Sequence, residues 1–124
     1  MTTSGNSSAK RILLVDDEPK ILSFLAVKLR LCGYEVMSAT SGEQALDLVR
    51  TDKPHLMLLD IVMPGMDGYE VLRRLGALDH MPVIVMSALA EARTEAMKLG
   101  AGDFLTKPFD PDEAVARVQT VLKA

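Results

Sequence analysis

Short apolar runs alternate along the chain with longer stretches in which apolar residues recur every three or four positions. Ile12-Leu13-Leu14-Val15, His55 to Leu59 and Val83-Ile84-Val85-Met86 are near-continuous runs of strand length. That is the pattern of strands covered on both faces. Tyr34 to Ala39 is more polar, with Val36 as its clearest strand former, and is expected nearer a sheet edge. Asp103-Phe104-Leu105-Thr106 supplies a fifth run.

The intervening stretches predict helices. Pro19 suits a first helical turn, after which Ile21, Leu22, Leu25 and Leu29 form a stripe, with Lys28 and Arg30 toward solvent and Gly33 as the stop. Thr40 or Ser41 caps a second helix carrying Ala45, Leu46 and Val49, and Gln44 completes a capping-box pattern with Ser41. Tyr69, Leu72 and Leu75 outline a third helix, and Ala92, Ala96 and Leu99 a fourth, from about Ala90. Asp110, Pro111 and Glu113 open a fifth with a cap, a proline and an acid in its first turn, ahead of Val115, Val118 and Leu122.

Five strand-helix alternations predict a mainly parallel sheet with right-handed crossovers and helices on both faces. They are too few for a (β/α)₈ barrel. The pattern alone does not yield the order of the strands.

With 124 residues and 48% hydrophobic types, the chain has room for one domain with a substantial core. A net charge of −3 offers no broad attraction to nucleic acid or to an anionic membrane. No apolar run approaches the roughly 20 residues needed to cross a bilayer. Residues 1–9 are polar, lack the apolar stretch of a signal peptide, and read as a disordered lead-in to a domain at residues 10–124, with a cytoplasmic location expected. Cys32, the only cysteine, excludes an intrachain disulfide and a thiolate cluster, and is expected to be a half-buried apolar side chain.

Chemistry gathers where the strand-like runs end. The first ends in Asp16-Asp17, the third in Asp60 followed by Met63-Pro64-Gly65 and Gly68, the fourth in Ser87-Ala88, and the fifth in Lys107-Pro108. In an open parallel sheet, active sites form beyond this edge. Over about Lys10 to Leu122, this ordered set resembles the receiver domain of two-component response regulators.

That resemblance implies a flavodoxin-like three-layer α/β/α sandwich, with a parallel sheet of order 2-1-3-4-5. It also implies that Asp60 is the phosphoacceptor, taking a phosphoryl group from the phosphohistidine of a sensor histidine kinase or phosphotransfer protein. Asp17, Asp60 and the Val62 carbonyl would hold Mg²⁺ or Mn²⁺ directly, with Asp16 acting through a coordinated water. Lys107, with an implied cis bond to Pro108, and Ser87 would contact the phosphoryl group beside small Ala88. Phe104 would be the aromatic switch, without the hydroxyl of a tyrosine.

The function implied is self-catalysed phosphorylation and dephosphorylation that regulates an output domain or target protein. Pairing of two copies through the fourth helix, fifth strand and fifth helix is compatible with this reading. Apolar Val62 and Leu89 near the route of an attacking water suggest modest rather than very fast dephosphorylation.

Two other classes compete. A receiver-shaped protein-binding module would act without phosphorylation, against which the intact acids, Ser87 and Lys107 argue. A flavin carrier or an independent phosphatase on a related fold is disfavoured because no glycine-rich cradle and no Asp-x-Asp signature follows the first strand. His55 opens the third strand and His80 precedes the fourth, both at the edge opposite the site, and they are read as structural or surface residues. Met63, Met66, Met81, Met86 and Met97 are read as packing residues.

Overall fold

The computed structural model describes residues 9–76 and 81–123. His80 and the lead-in up to residue 8 lie outside them. Five strands, β1 (Arg11–Val15), β2 (Glu35–Ala39), β3 (Leu56–Asp60), β4 (Val83–Ser87) and β5 (Asp103–Thr106), alternate with five helices. These are α1 (Pro19–Leu31), α2 (Gly42–Asp52), α3 (Gly68–Gly76), α4 (Ala92–Lys98) and α5 (Pro111–Lys123).

All strand pairs are parallel and the order is β2-β1-β3-β4-β5, with the more polar β2 at an edge as its composition predicts. Alternate residues of each strand face opposite layers. Leu13, Val15, Met57, Leu59, Val83, Val85 and Phe104 pack with α2, α3 and α4. Ile12, Leu14, Leu56, Leu58, Ile84, Met86 and Leu105 pack with α1 and α5. Burial on both faces explains why β1, β3 and β4 read as continuous apolar runs.

Local chemistry sets the element ends. The Gly33 N–H donates to the Arg30 carbonyl and the Tyr34 N–H to the Leu29 carbonyl, and Gly33 takes φ +95°, so the turn that ends α1 calls for glycine. Ser41 caps α2 by accepting the Gln44 N–H at 3.2 Å, while the Gln44 side chain accepts from the Thr40 N–H at 3.0 Å. The box therefore closes one residue earlier than its usual form. Asp67 caps α3 by accepting the Glu70 N–H at 3.0 Å.

Several expectations are corrected. Helix α4 begins at Ala92 because the N–H groups of Ala92 and Arg93 are taken by the carbonyls of Leu89 and Ala90 three residues back, a tighter turn than an α-helix. The buried stripe of α3 includes Val71 beside the expected Leu72 and Leu75. Cys32 is exposed, because α1 turns its Leu29 side to the sheet and leaves Leu31 and Cys32 toward solvent. Met97 is also exposed, whereas Met63 and Met86 are buried and Met66 and Met81 pack against the core. On the solvent side of the α1 stripe, Lys28 pairs with Asp112 of α5 at 3.2 Å.

Candidate functional site

The sheet ladder runs one residue past the strands and so fixes the backbone of the site. Asp16 N–H donates to the Ala39 carbonyl, Ile61 N–H to Met86, and Lys107 N–H to Ser87. Asp16, Asp60 and Lys107 each follow the parity of the strand residues that face α1 and α5. Their side chains consequently meet on one side of the sheet edge.

Carboxylate oxygens of Asp16, Asp17 and Asp60 all lie within 4.8 Å of one another. Asp16 is fully buried, Asp60 is 5% exposed and Asp17 is open to solvent. The Lys107 Nζ donates to Asp16 Oδ2 at 2.8 Å and lies 3.5 Å from Asp60 Oδ1. The other Asp16 oxygen accepts the Glu18 N–H at 3.0 Å. The peptide bond between Lys107 and Pro108 is cis, in agreement with the resemblance.

Burial beside a like charge marks the electrostatics of Asp60. Burial, reinforced by the Asp16 charge, pushes the Asp60 carboxyl up to about 6, while Lys107 and a hydrogen bond from the Val62 N–H pull the other way. Burial alone would lower the Lys107 ammonium, but its hydrogen bond to Asp16 and the charges of Asp60 and Asp16 outweigh that and raise it. One ammonium thus faces a group of acids it cannot fully compensate. The cluster is open on the Asp17 side to a further cation.

The remaining expected residues surround this centre. Ser87 is fully buried at the end of β4, its Oγ accepting the Leu89 N–H at 3.0 Å. That bond occupies a lone pair and leaves the hydroxyl proton free to donate. Ala88 and Lys107 line a groove of about 410 Å³, together with Glu18, Ile21, Phe24, Leu25, Pro108, Phe109 and Pro111. Val62 and Leu89, two residues beyond Asp60 and Ser87, are 59% and 45% exposed.

Phe104 is 2% exposed and packed in the core, with the Arg93 guanidinium 5.9 Å from its ring centre. Its backbone is held as well, because Arg117 pairs with Asp103 at 2.9 Å and donates to the Phe104 carbonyl at 3.4 Å. In this structure the ring therefore occupies an inward position.

His55 is at the other end of the sheet, as read from the sequence. Its N–H donates to the Arg11 carbonyl at 2.8 Å and its Nδ1 accepts the Arg11 N–H at 2.9 Å, so the side chain extends the β1–β3 ladder. Burial, Arg11 and Lys10 depress the imidazole below its ordinary value, with Glu35 opposing. Phe24, which no spacing rule assigns to the site, is 57% exposed on α1 beside the groove. Its place outside the Leu22–Leu25–Leu29 stripe was the available signal.

Among the described residues, no helix is long and apolar enough to cross a membrane. A family model described as the response regulator receiver domain matches residues 12–119. A probable transcriptional regulator, ycf27, of Porphyra purpurea is 41% identical over 116 residues, covering 92% of this chain and 48% of the relative. The alkaline phosphatase synthesis transcriptional regulatory protein PhoP of Bacillus subtilis (strain 168) is 41% identical over 117 residues, covering 92% and 49%. The chain spans about half the length of the curated relatives it matches.

Solved structures agree with the fold. A putative response regulator from Chloroflexus aurantiacus J-10-fl superposes with a TM-score of 0.87 at 33% identity, covering 94% of this chain and all of that one. A CheY-like receiver domain protein from Methanospirillum hungatei JF-1 gives 0.89 at 31% identity, covering 94% and 95%.

Proposed function

The chain belongs to the family of response regulator receiver domains, and we propose that Asp60 is its phosphoacceptor within a receiver unit of residues 10–124. The observation that carries this reading is the buried Asp60 carboxylate, clustered with Asp16 and Asp17 and 3.5 Å from the Lys107 ammonium. A surface acid serving only as a cap would not be buried among like charges.

The donor set fits a hard divalent cation. Three carboxylates supply oxygen only, and the exposed side of Asp17 leaves room for waters, the ligation Mg²⁺ prefers. Asp17, Asp60 and the Val62 carbonyl would hold the ion, Mg²⁺ or Mn²⁺. Both Asp16 oxygens are already engaged, one by Glu18 N–H and one by Lys107, which favours an indirect role through water. When bound, the ion supplies positive charge against acids and phosphoryl oxygens alike.

Phosphoryl transfer then follows from the side chains. An Asp60 oxygen attacks the phosphorus of a phosphohistidine, a P–O bond forms, the P–N bond breaks, and its electron pair stays on the imidazole of the donor. Lys107 lies close enough to follow a phosphoryl oxygen, offsetting its charge. Ser87 has a proton to donate to another such oxygen. Hydrolysis of the acyl phosphate reverses the change, with Val62 and Leu89 flanking the approach of water.

New charge on Asp60 would draw Ser87 and Lys107, both backbone-bonded to one another, and so shift the loop after β4. The surface of α4, β5 and α5, where Arg93 and Arg117 hold Phe104, would carry the change to an output domain, a target protein or a second copy. The upstream partner is a sensor histidine kinase or phosphotransfer protein, and the setting is the cytoplasm.

Incubation with a small acyl-phosphate donor and Mg²⁺, followed by mass measurement, tests the reading. The wild type should gain one phosphoryl group that Asp60→Asn does not. No gain in either chain would favour the receiver-shaped binding module.

A further inference from the structure

Two glycines grip the loop between β3 and α3 from different sides. Gly68, first in α3, donates its N–H to the Ile61 carbonyl at 2.9 Å. A Cβ there would lie 2.5 Å from the Asp60 carbonyl oxygen and 2.7 Å from the Ile61 Cα. Gly42, first in α2, is buried, and a Cβ there would meet Val71 Cγ2 at 2.9 Å and both Met66 Cγ and the Met66 carbonyl oxygen at 3.0 Å. At Gly76, the far end of α3, a Cβ would meet nothing within 4 Å.

Gly42 is not there for its backbone. It lacks the positive φ of Gly33, Gly65 and Gly100, and in a helix glycine forgoes the propensity an alanine would bring. What it provides is close approach: the start of α2 lies so near Val71 and the Met66 carbonyl that an added methyl group would force a neighbour to shift. Met66 belongs to the same loop as Val62, which lies two residues after Asp60. Substitution at Gly68 would collide with the β3 backbone itself, whereas substitution at Gly42 reaches the site only through the path of the loop.

We propose that Gly42 is a positioning residue for the Asp60 site, setting the course of the β3–α3 loop and thereby the placement of the Val62 carbonyl. The inference rests on the metal reading above, in which the Val62 carbonyl is a ligand. A helix of the layer opposite to α1 thus has a say in the geometry of the metal centre.

The test compares Gly42→Ala with Gly76→Ala by two measurements: backbone amide resonances of the metal-free chain, and Mg²⁺ affinity by calorimetry. In Gly42→Ala the amides of Val62, Met63, Gly65, Met66 and Asp67 should move and Mg²⁺ should bind on the order of tenfold more weakly. Gly76→Ala should match the wild type in both. A folded Gly42→Ala chain with wild-type loop amides overturns the proposal, as do moved amides with unchanged affinity. A merely structural glycine would lower the unfolding midpoint and leave the affinity of the folded chain alone.

If Gly42→Ala does not fold, Met66→Ala takes its place, keeping the glycine and removing the side chain that lies over it. The same loop shifts and weaker binding are expected, and wild-type values overturn the proposal. A wild type without Mg²⁺ affinity would refute the metal reading before any variant is made, and this inference with it.

Discussion

Replacing the proposed phosphoacceptor should make the metal-free protein more stable near neutral pH. Burial and the neighbouring Asp16 raise the Asp60 carboxyl from 3.8 to about 6, against the pull of Lys107 and the Val62 N–H. Between those values the folded chain retains a proton that the unfolded chain has released. Stability therefore falls as pH rises through the window, and the loss is complete above about pH 6. At ~1.4 kcal/mol per pH unit the rise corresponds to roughly 3 kcal/mol.

Asparagine has the shape of the protonated acid and no charge to desolvate, so Asp60→Asn escapes that loss. Urea unfolding in a chelator, followed by circular dichroism across the acidic to neutral range, measures the difference. The variant should exceed the wild type by about 2–3 kcal/mol near neutrality, with the gap closing toward about pH 4. Equal or lower stability of the variant near neutrality, or a gap that does not change with pH, would refute the electrostatic argument.

Other consequences follow from the same geometry. Lys107→Ala leaves two buried carboxylates without their ammonium and should destabilise the metal-free chain by about 3 kcal/mol, with Mg²⁺ restoring more stability to the variant than to the wild type in paired urea titrations. His55→Ala removes the 2.9 Å bond to Arg11 N–H and should cost about 1–2 kcal/mol while leaving Mg²⁺ affinity, read by calorimetry, unchanged. Because folding lowers the His55 pKa, its contribution is present above the ordinary value of 6.5 and is lost as pH falls through the folded value; His55→Ala should flatten that part of the stability profile. The acyl phosphate, timed by loss of label from the isolated protein, should outlast about a second given apolar Val62 and Leu89 two residues beyond Asp60 and Ser87, and a lifetime of about a second or less would contradict their assigned role.

Much of the fold is written in the apolar pattern because β1, β3 and β4 are covered on both faces and leave no polar alternation to confuse them with surface strands. The candidate site is equally legible, since Asp16, Asp60, Ser87 and Lys107 all sit where such runs stop. Side-chain pairing was not. That Lys107 binds Asp16 more closely than Asp60 depends on how two loops from distant parts of the chain settle, which no local pattern encodes.

The misses share a cause in burial rather than in propensity. Cys32 follows an apolar stripe, yet which side of α1's last turn meets the sheet is fixed by the Gly33 turn, and it left the thiol outside. Gly42 and Gly68 look in sequence like ordinary helix-start residues; only the approach of Met66 and Asp60 reveals what a side chain there would strike. His55 reads as a strand residue because nothing in its spacing tells that its ring, rather than its carbonyl, completes the ladder with Arg11.

A crystal structure grown with Mn²⁺ and beryllofluoride, the ion located by its anomalous signal, tests the central claim most directly. The account predicts beryllium on an Asp60 carboxylate oxygen, the metal bound by Asp17, Asp60 and the Val62 carbonyl, and Ser87 and Lys107 on the fluorines. A metal held away from these three residues, or beryllofluoride on any other side chain, would contradict it.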